Sequence, residues 1–268
     1  MMQADENRFK SWMQARAGTP PLGTWIMSAS PIIAEAMGHA GYDWILVDME
    51  HSPIDLAQTT AIMQALSGTP AEVVVRVPWN DPVMVKRVMD AGARSIMFPF
   101  IQSLEEARAA VAATRYPPQG TRGVAAMHRA SRFGTAPDYL ARANAQVAVI
   151  VQLETPEAVA LLPEIAALDG VDAVFIGPGD LSGGMGLLGQ IGHADVQAAL
   201  KAGAQAARAA GIACGIVGAD AGTVRGYIEM GFSYVAIASD LGLVMGAAKA
   251  SIRDIRGQAA PESAGGVY

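Results

Sequence analysis

Six residues able to do acid–base or metal chemistry stand where short apolar runs end. The stretch ILVDMEHSP, residues 45–53, closes with Asp48, Glu50 and His51. Arg76 ends EVVVR (72–76), Glu154 ends AVIVQLE (148–154), and Asp180 lies just beyond AVFIG (173–177) in FIGPGDLS. Carboxylates arriving from separate segments suit a hard divalent cation that prefers oxygen and takes further ligands from water or substrate, so Mg²⁺, Mn²⁺ and Co²⁺ are the candidates. An imidazole at such a place can move protons near neutral pH. Arginine offers a planar fork for an oxo acid. In GPGDLS, Gly177 and Gly179 let backbone approach a ligand closely, and the N–H groups around Gly179 and Asp180 suit a small carboxylate. Each residue alone could instead cap a helix or pair with a neighbour. Coincidence at four segment ends favours one shared site.

Other chemistries fit poorly. Imine catalysis needs a lysine in the site, and Lys10, Lys86, Lys201 and Lys249 all fall in segments of helical spacing. A zinc site needs clustered ligands, whereas Cys214, His39, His51, His128 and His193 are scattered. There is no G-x-S-x-G elbow, and no G-x-G-x-x-G turn falls between a strand and a helix; the glycine-rich run 182–192 lacks the lysine of a phosphate-binding loop. A net charge of −6, with no basic stripe interleaved with aromatics, excludes a nucleic-acid partner. The start lacks the apolar core of a signal peptide, and no run of 18 apolar residues could cross a bilayer, which predicts a soluble cytoplasmic protein. The lone Cys214 suits a reducing compartment.

The elements that must position these residues follow from periodicity. Apolar runs recur eight times: 23–27, 44–48, 72–76, 95–99, 148–154, 173–177, 212–217 and 234–238. Between them lie helical patterns such as 81–92, where Met84, Val85, Val88 and Met89 share a face. Ser30-Pro31, Asp81-Pro82 and Thr155-Pro156 mark helix starts. Eight continuous apolar strands, each followed by a helix, predict one (β/α)8 TIM barrel over residues 1–268. An extra helix within 1–20 closes one end, a helical extension follows the last strand, and 257–268 is expected to be a flexible tail. In such a barrel the strand ends form the mouth, so the six residues converge there. The long connection 116–147 is expected to be functional or to cover something; Arg122 in it either reaches the mouth to bind the distal group of a substrate or forms a surface salt bridge, and His128 and Arg132 stand in the same position. Trp79 and Phe98 suit either an apolar wall or a substrate contact.

Five motifs in order carry a family likeness: D-x-E-H (48–51), VRVPWND (75–81), RYPPQGTRGV (115–124), QLETPEA (152–158) and FIGPGDLS (175–182). From about Gly23 to about residue 250 the chain resembles the class II pyruvate-dependent aldolases of the 4-hydroxy-2-oxo-heptane-1,7-dioate aldolase family, relatives of citrate lyase. The resemblance implies that Glu154 and Asp180 hold a divalent cation, which binds the carboxylate and keto oxygen of pyruvate or of a substituted pyruvate such as hydroxypyruvate. It implies Arg76 over the keto oxygen and His51 as acid–base residue with Asp48 holding its imidazole; the part of Glu50 stays open. It also implies a homohexamer whose C-terminal helical region is exchanged between neighbours. Met49 and Gly179 sit at variable positions of the motifs. The expected reaction joins an oxo acid to an aldehyde, or cleaves a 4-hydroxy-2-oxo acid. A lyase acting on a coenzyme A thioester would want basic residues around the mouth, and a noncatalytic oxo-acid-binding barrel would bind without exchanging protons.

Overall fold

The computed structural model describes residues 6–15 and 18–257; the expected tail, apart from Gly257, lies outside them. The first half of the chain runs α1 (Arg8–Ala15), β1 (Leu22–Ile26), α2 (Pro31–His39), β2 (Trp44–Asp48), α3 (Leu56–Leu66), β3 (Glu72–Arg76), α4 (Pro82–Asp90), β4 (Ser95–Phe98), α5 (Leu104–Thr114). It continues with α6 (Tyr139–Ala143), β5 (Ala148–Leu153), α7 (Pro156–Ala160), α8 (Leu162–Ala166), β6 (Ala173–Ile176), α9 (Pro178–Gly184) and α10 (Ala194–Ala210). Last come β7 (Ala213–Gly218), α11 (Ala221–Met230), β8 (Tyr234–Ser239) and α12 (Asp240–Arg256). All eight strands are parallel and β8 pairs with β1, closing a (β/α)8 barrel.

Local chemistry starts the helices where the sequence placed them. Ser30, Asp81 and Thr155 accept hydrogen bonds from the backbone N–H groups of Ile33, Val83 and Ala158, each with proline in the first turn. Among the described residues no helix is long and apolar enough to cross a membrane.

Two apolar layers form because strand side chains alternate. One set, including Ile45, Val47, Val75 and Val149, packs outward against the helices. The other, including Trp25, Trp44, Leu46, Val74, Met97, Ile150, Phe175 and Tyr234, fills the barrel. Helix α1 closes the end where the strands begin. Its Phe9 ring meets Trp44 and Tyr234 edge-on, each at 5.7 Å between centroids. These aromatics fit only because their neighbours lack side chains: a Cβ on Gly23 would lie 2.2 Å from Trp44 Cε2, and one on Gly215 would lie 2.3 Å from the Tyr234 ring.

The connection 115–147 does not reach the mouth. It follows α5, which runs antiparallel to the strands, and therefore lies at the end where they start. There it is pinned by Asn144, whose Oδ1 accepts from Tyr116 N and whose Nδ2 donates to the Tyr116 carbonyl. Gly215→Ala is expected to destabilise the fold by about 1–3 kcal/mol through overpacking, seen as a lower urea midpoint; an unshifted midpoint would show that Tyr234 can move aside.

Candidate active site

Alternation on the strands decides which polar residues point inward. On β2 it carries Trp44, Leu46 and Asp48 into the barrel, and on β3 Val74 and Arg76. Asp48 and Arg76 are register partners on adjacent strands. Arg76 Nε donates to Asp48 Oδ1 at 2.9 Å and Nη2 to Oδ2 at 2.8 Å, a two-pronged ion pair with both residues at most 1% exposed. Below, Arg76 Cζ lies 4.2 Å from the centre of the Trp25 ring. Glu50 Oε2 lies 2.8 Å from Nη1, an ion pair without hydrogen-bond alignment.

Asp48 is expected from the sequence to hold the His51 imidazole; the partner the structure shows for it is Arg76. Asp48 Oδ1 also accepts from Glu50 N at 3.0 Å, which shapes the loop after β2. His51 has a different carboxylate neighbour: its Nε2 lies 3.7 Å from Glu50 Oε2, and its side chain is 57% exposed. The imidazole thus stands at the solvent edge of the mouth, beside Glu50.

Glu154 follows β5 and is buried. Its Oε1 accepts from Gln152 Nε2 at 2.6 Å and its Oε2 from the backbone N–H of Phe100 at 3.0 Å. Phe100 presents that N–H from a left-handed conformation, φ 51°, which stores about 1–3 kcal/mol of strain at this edge. Gly177 makes the room: a Cβ there would lie 2.2 Å from Glu154 Oε1. Asp180 sits in the first turn of α9, exposed, with Gly179 beside it half-buried. Burial first, then the charges of Asp180 and Glu50, push the Glu154 carboxyl up to about 8. Burial likewise raises Glu50, opposed by Arg76 and His51.

This arrangement fits a cation. Buried Glu154 in its glycine-lined notch, with exposed Asp180 near enough to disturb its ionisation, concentrates negative potential that a divalent ion would relieve. Among the described residues no three His, Cys, Asp or Glu side chains gather as a complete ligand set. Two carboxylates with open positions match the oxygen-liking ions, which keep waters and take substrate oxygens.

Five of the six strand-end residues are thereby tied to one another by contact or by charge at the mouth, and His51 joins through Glu50. Arg122 does not join them. Its buried guanidinium pairs with Asp90, the last residue of α4, at 2.7 Å and stacks on Tyr116 at 4.4 Å, at the opposite end of the barrel. His128 lies there too, with Nε2 3.7 Å from Asp90. Sequence reasoning passed over Gln152 and Trp25, though each occupies an inward position of its strand. The Phe100 N–H leaves no side-chain signal at all.

Residues 22–247 match the family described as HpcH/HpaI aldolase/citrate lyase. The chain belongs to that family. A 2-dehydro-3,6-dideoxy-6-sulfogluconate aldolase of Pseudomonas putida is 48% identical over 248 residues, covering 92% of this chain and 97% of the relative. A 4-hydroxy-2-oxo-heptane-1,7-dioate aldolase of Salmonella dublin is 43% identical over 98% of this chain and 100% of its own. The crystal structure of an HpcH/HpaI aldolase/citrate lyase family protein from Burkholderia cenocepacia has a TM-score of 0.90 and 42% identity, covering 93% and 99% of the two chains. With such relatives, this family member is a carbon–carbon lyase.

Glu154 gives the apo protein a pH signature. Between about 4.5, the ordinary value, and about 8, the folded chain holds a proton that the unfolded chain has released. Its contribution is therefore fully present below 4.5 and is lost as pH rises through 8. The stability of Glu154→Gln relative to the parent, measured by urea unfolding without metal, is expected to improve steadily from pH 5 to pH 8.5. A difference that does not change with pH would contradict the raised carboxyl.

Proposed function

We propose that this protein is a divalent-metal-dependent aldolase that forms and cleaves 4-hydroxy-2-oxo acids, using pyruvate or a substituted pyruvate such as hydroxypyruvate as donor and an aldehyde as acceptor. The observation that carries the reading is the juxtaposition of buried Glu154 and exposed Asp180 with an arginine locked by Asp48. A cation held by Glu154 and Asp180, be it Mg²⁺, Mn²⁺ or Co²⁺, supplies Lewis acidity toward the carboxylate and keto oxygens of the oxo acid.

The chain's own groups do the rest. The backbone around Gly179 and Asp180 receives the donor's carboxylate. His51 takes a proton from the methyl carbon, and the C–H electron pair becomes the enolate. Negative charge developing on the keto oxygen is met by Arg76, whose orientation Asp48 fixes in advance, so little reorganisation is needed as the charge appears. The nucleophilic carbon then bonds to the aldehyde carbon, and His51 returns its proton to the new alkoxide. Cleavage retraces the same path. Exposure of His51 suits this work, since a base at the solvent edge can exchange its proton with water between steps. Glu50, between Arg76 and His51, couples the two charges. With a net charge of −6, the chain offers few basic residues for the phosphates of a coenzyme A thioester.

On the same reading the enzyme is cytoplasmic and a homohexamer. Helix α12 leaves Leu241, Leu243, Val244, Met245, Ile252 and Ile255 exposed, an apolar surface suited to burial between copies.

In deuterated water, NMR is expected to show exchange of the pyruvate methyl protons when metal is present and none after its removal. His51→Ala should retain the metal and slow exchange by about 10²–10⁴-fold. Metal-independent exchange would sink the proposed chemistry, and unchanged exchange in the variant would remove His51 from it.

A further inference from the structure

The end of the barrel away from the mouth carries a cavity of about 620 Å³ between the C-terminal end of α3, the starts of β3 and β4, and the segment 129–146. Five arginines line it, Arg8, Arg94, Arg129, Arg132 and Arg142, and Glu72 is the one acid among the described lining residues. The chain as a whole has a net charge of −6, so this positive concentration runs against the overall balance. None of the four lysines takes part.

Glu72 is shared rather than spare. Its Oε1 accepts from Arg8 Nε at 2.6 Å, and its Oε2 lies 4.0 Å from Arg94 Nη2, which leaves Arg94 loosely held with its side chain 41% exposed. Arg129 is placed by backbone alone: Nη1 donates to the Ala91 carbonyl at 2.9 Å, in space that a Cβ on Gly92 would enter to 2.3 Å. Burial weakens its hold on its proton, and no carboxylate offsets the effect. Arg132 and Arg142, which have partners of their own, complete the wall. Gathering like charges in a partly enclosed space is costly unless an anion enters. The volume falls in the range of small-molecule sites, and guanidinium forks match phosphate oxygens in pairs, which ammonium groups do not.

We propose that this cavity binds a small organic polyanion of the phosphate-ester or pyrophosphate class, at a site separate from the mouth. The strands between the two sites are 4–6 residues long, a separation of about 13–20 Å, so mouth and cavity can be occupied together.

The test is calorimetric titration of the full chain, stripped of divalent metal over a chelating resin, with inorganic pyrophosphate. Saturable binding of about one per chain is expected, weakening as salt rises. Arg94→Ala and Arg129→Ala should each weaken it about tenfold or more, while Glu154→Gln at the mouth leaves it unchanged. Arg129 supports its segment, so the half-exposed Arg94 is the deciding position if Arg129→Ala folds poorly. Failure to saturate, equal binding by Arg94→Ala, or loss of binding in Glu154→Gln would each overturn the proposal. Tighter binding of citrate than of pyrophosphate would overturn the phosphate class. None of these outcomes bears on the aldol chemistry.

Discussion

A carboxylate buried beside two others can ionise at neutral pH only if positive charge comes to it. Glu154 is in that position, with Asp180 and Glu50 as neighbours and Arg76 as the opposing cation. Arg76 is already committed: Asp48 takes two of its donors, Glu50 faces a third nitrogen, and Trp25 lies against its face. One arginine shared in this way leaves negative charge uncompensated at the mouth. On the proposed function that deficit is what a divalent ion would relieve, and the fold sustains it through backbone devices, the Gly177 notch and the Phe100 N–H, as much as through side chains.

The barrel makes such an arrangement affordable. Apolar layers around and within it are closed at one end by α1 and its aromatic contacts, and the inward-facing charges of β2 and β3, Asp48 and Arg76, stand at the other. Strand alternation turns sequence position into depth: Trp44, Leu46 and Asp48 are three successive levels of the interior, from closed end to open end. A buried arginine–carboxylate pair adds little net stability on its own. Here it fixes the orientation of a guanidinium in advance, which in the proposed mechanism spares reorganisation as charge develops on the keto oxygen. The two ends also differ in charge, acidic at the mouth and rich in arginine at the base.

Much of this was legible in the sequence because strand periodicity is a local property. Runs 44–48 and 72–76 are the observed β2 and β3 to the residue, and the serine, aspartate and threonine caps start their helices as expected. Partnerships were less legible because they depend on register. The spacing of D-x-E-H places Asp48 near His51 along the chain, yet its partner comes from the adjacent strand, since Asp48 and Arg76 are paired in the sheet. Of the two parts open to Arg122, the structure shows the salt bridge, for a topological reason. Its loop leads from a helix into a strand, and such loops lie at the base. Gln152 could have been found by counting two residues back from Glu154 along an inward-facing row. The contribution of Phe100 could not, because a peptide N–H carries no residue type.

Titration with Mn²⁺ followed by electron paramagnetic resonance tests the charge deficit at the mouth most directly. One strong site per chain is expected in the parent, with Glu154→Gln and Asp180→Asn each losing it while circular dichroism shows the barrel intact. Undiminished binding of Mn²⁺ by both variants would contradict the assignment of these two carboxylates as the cation's seat.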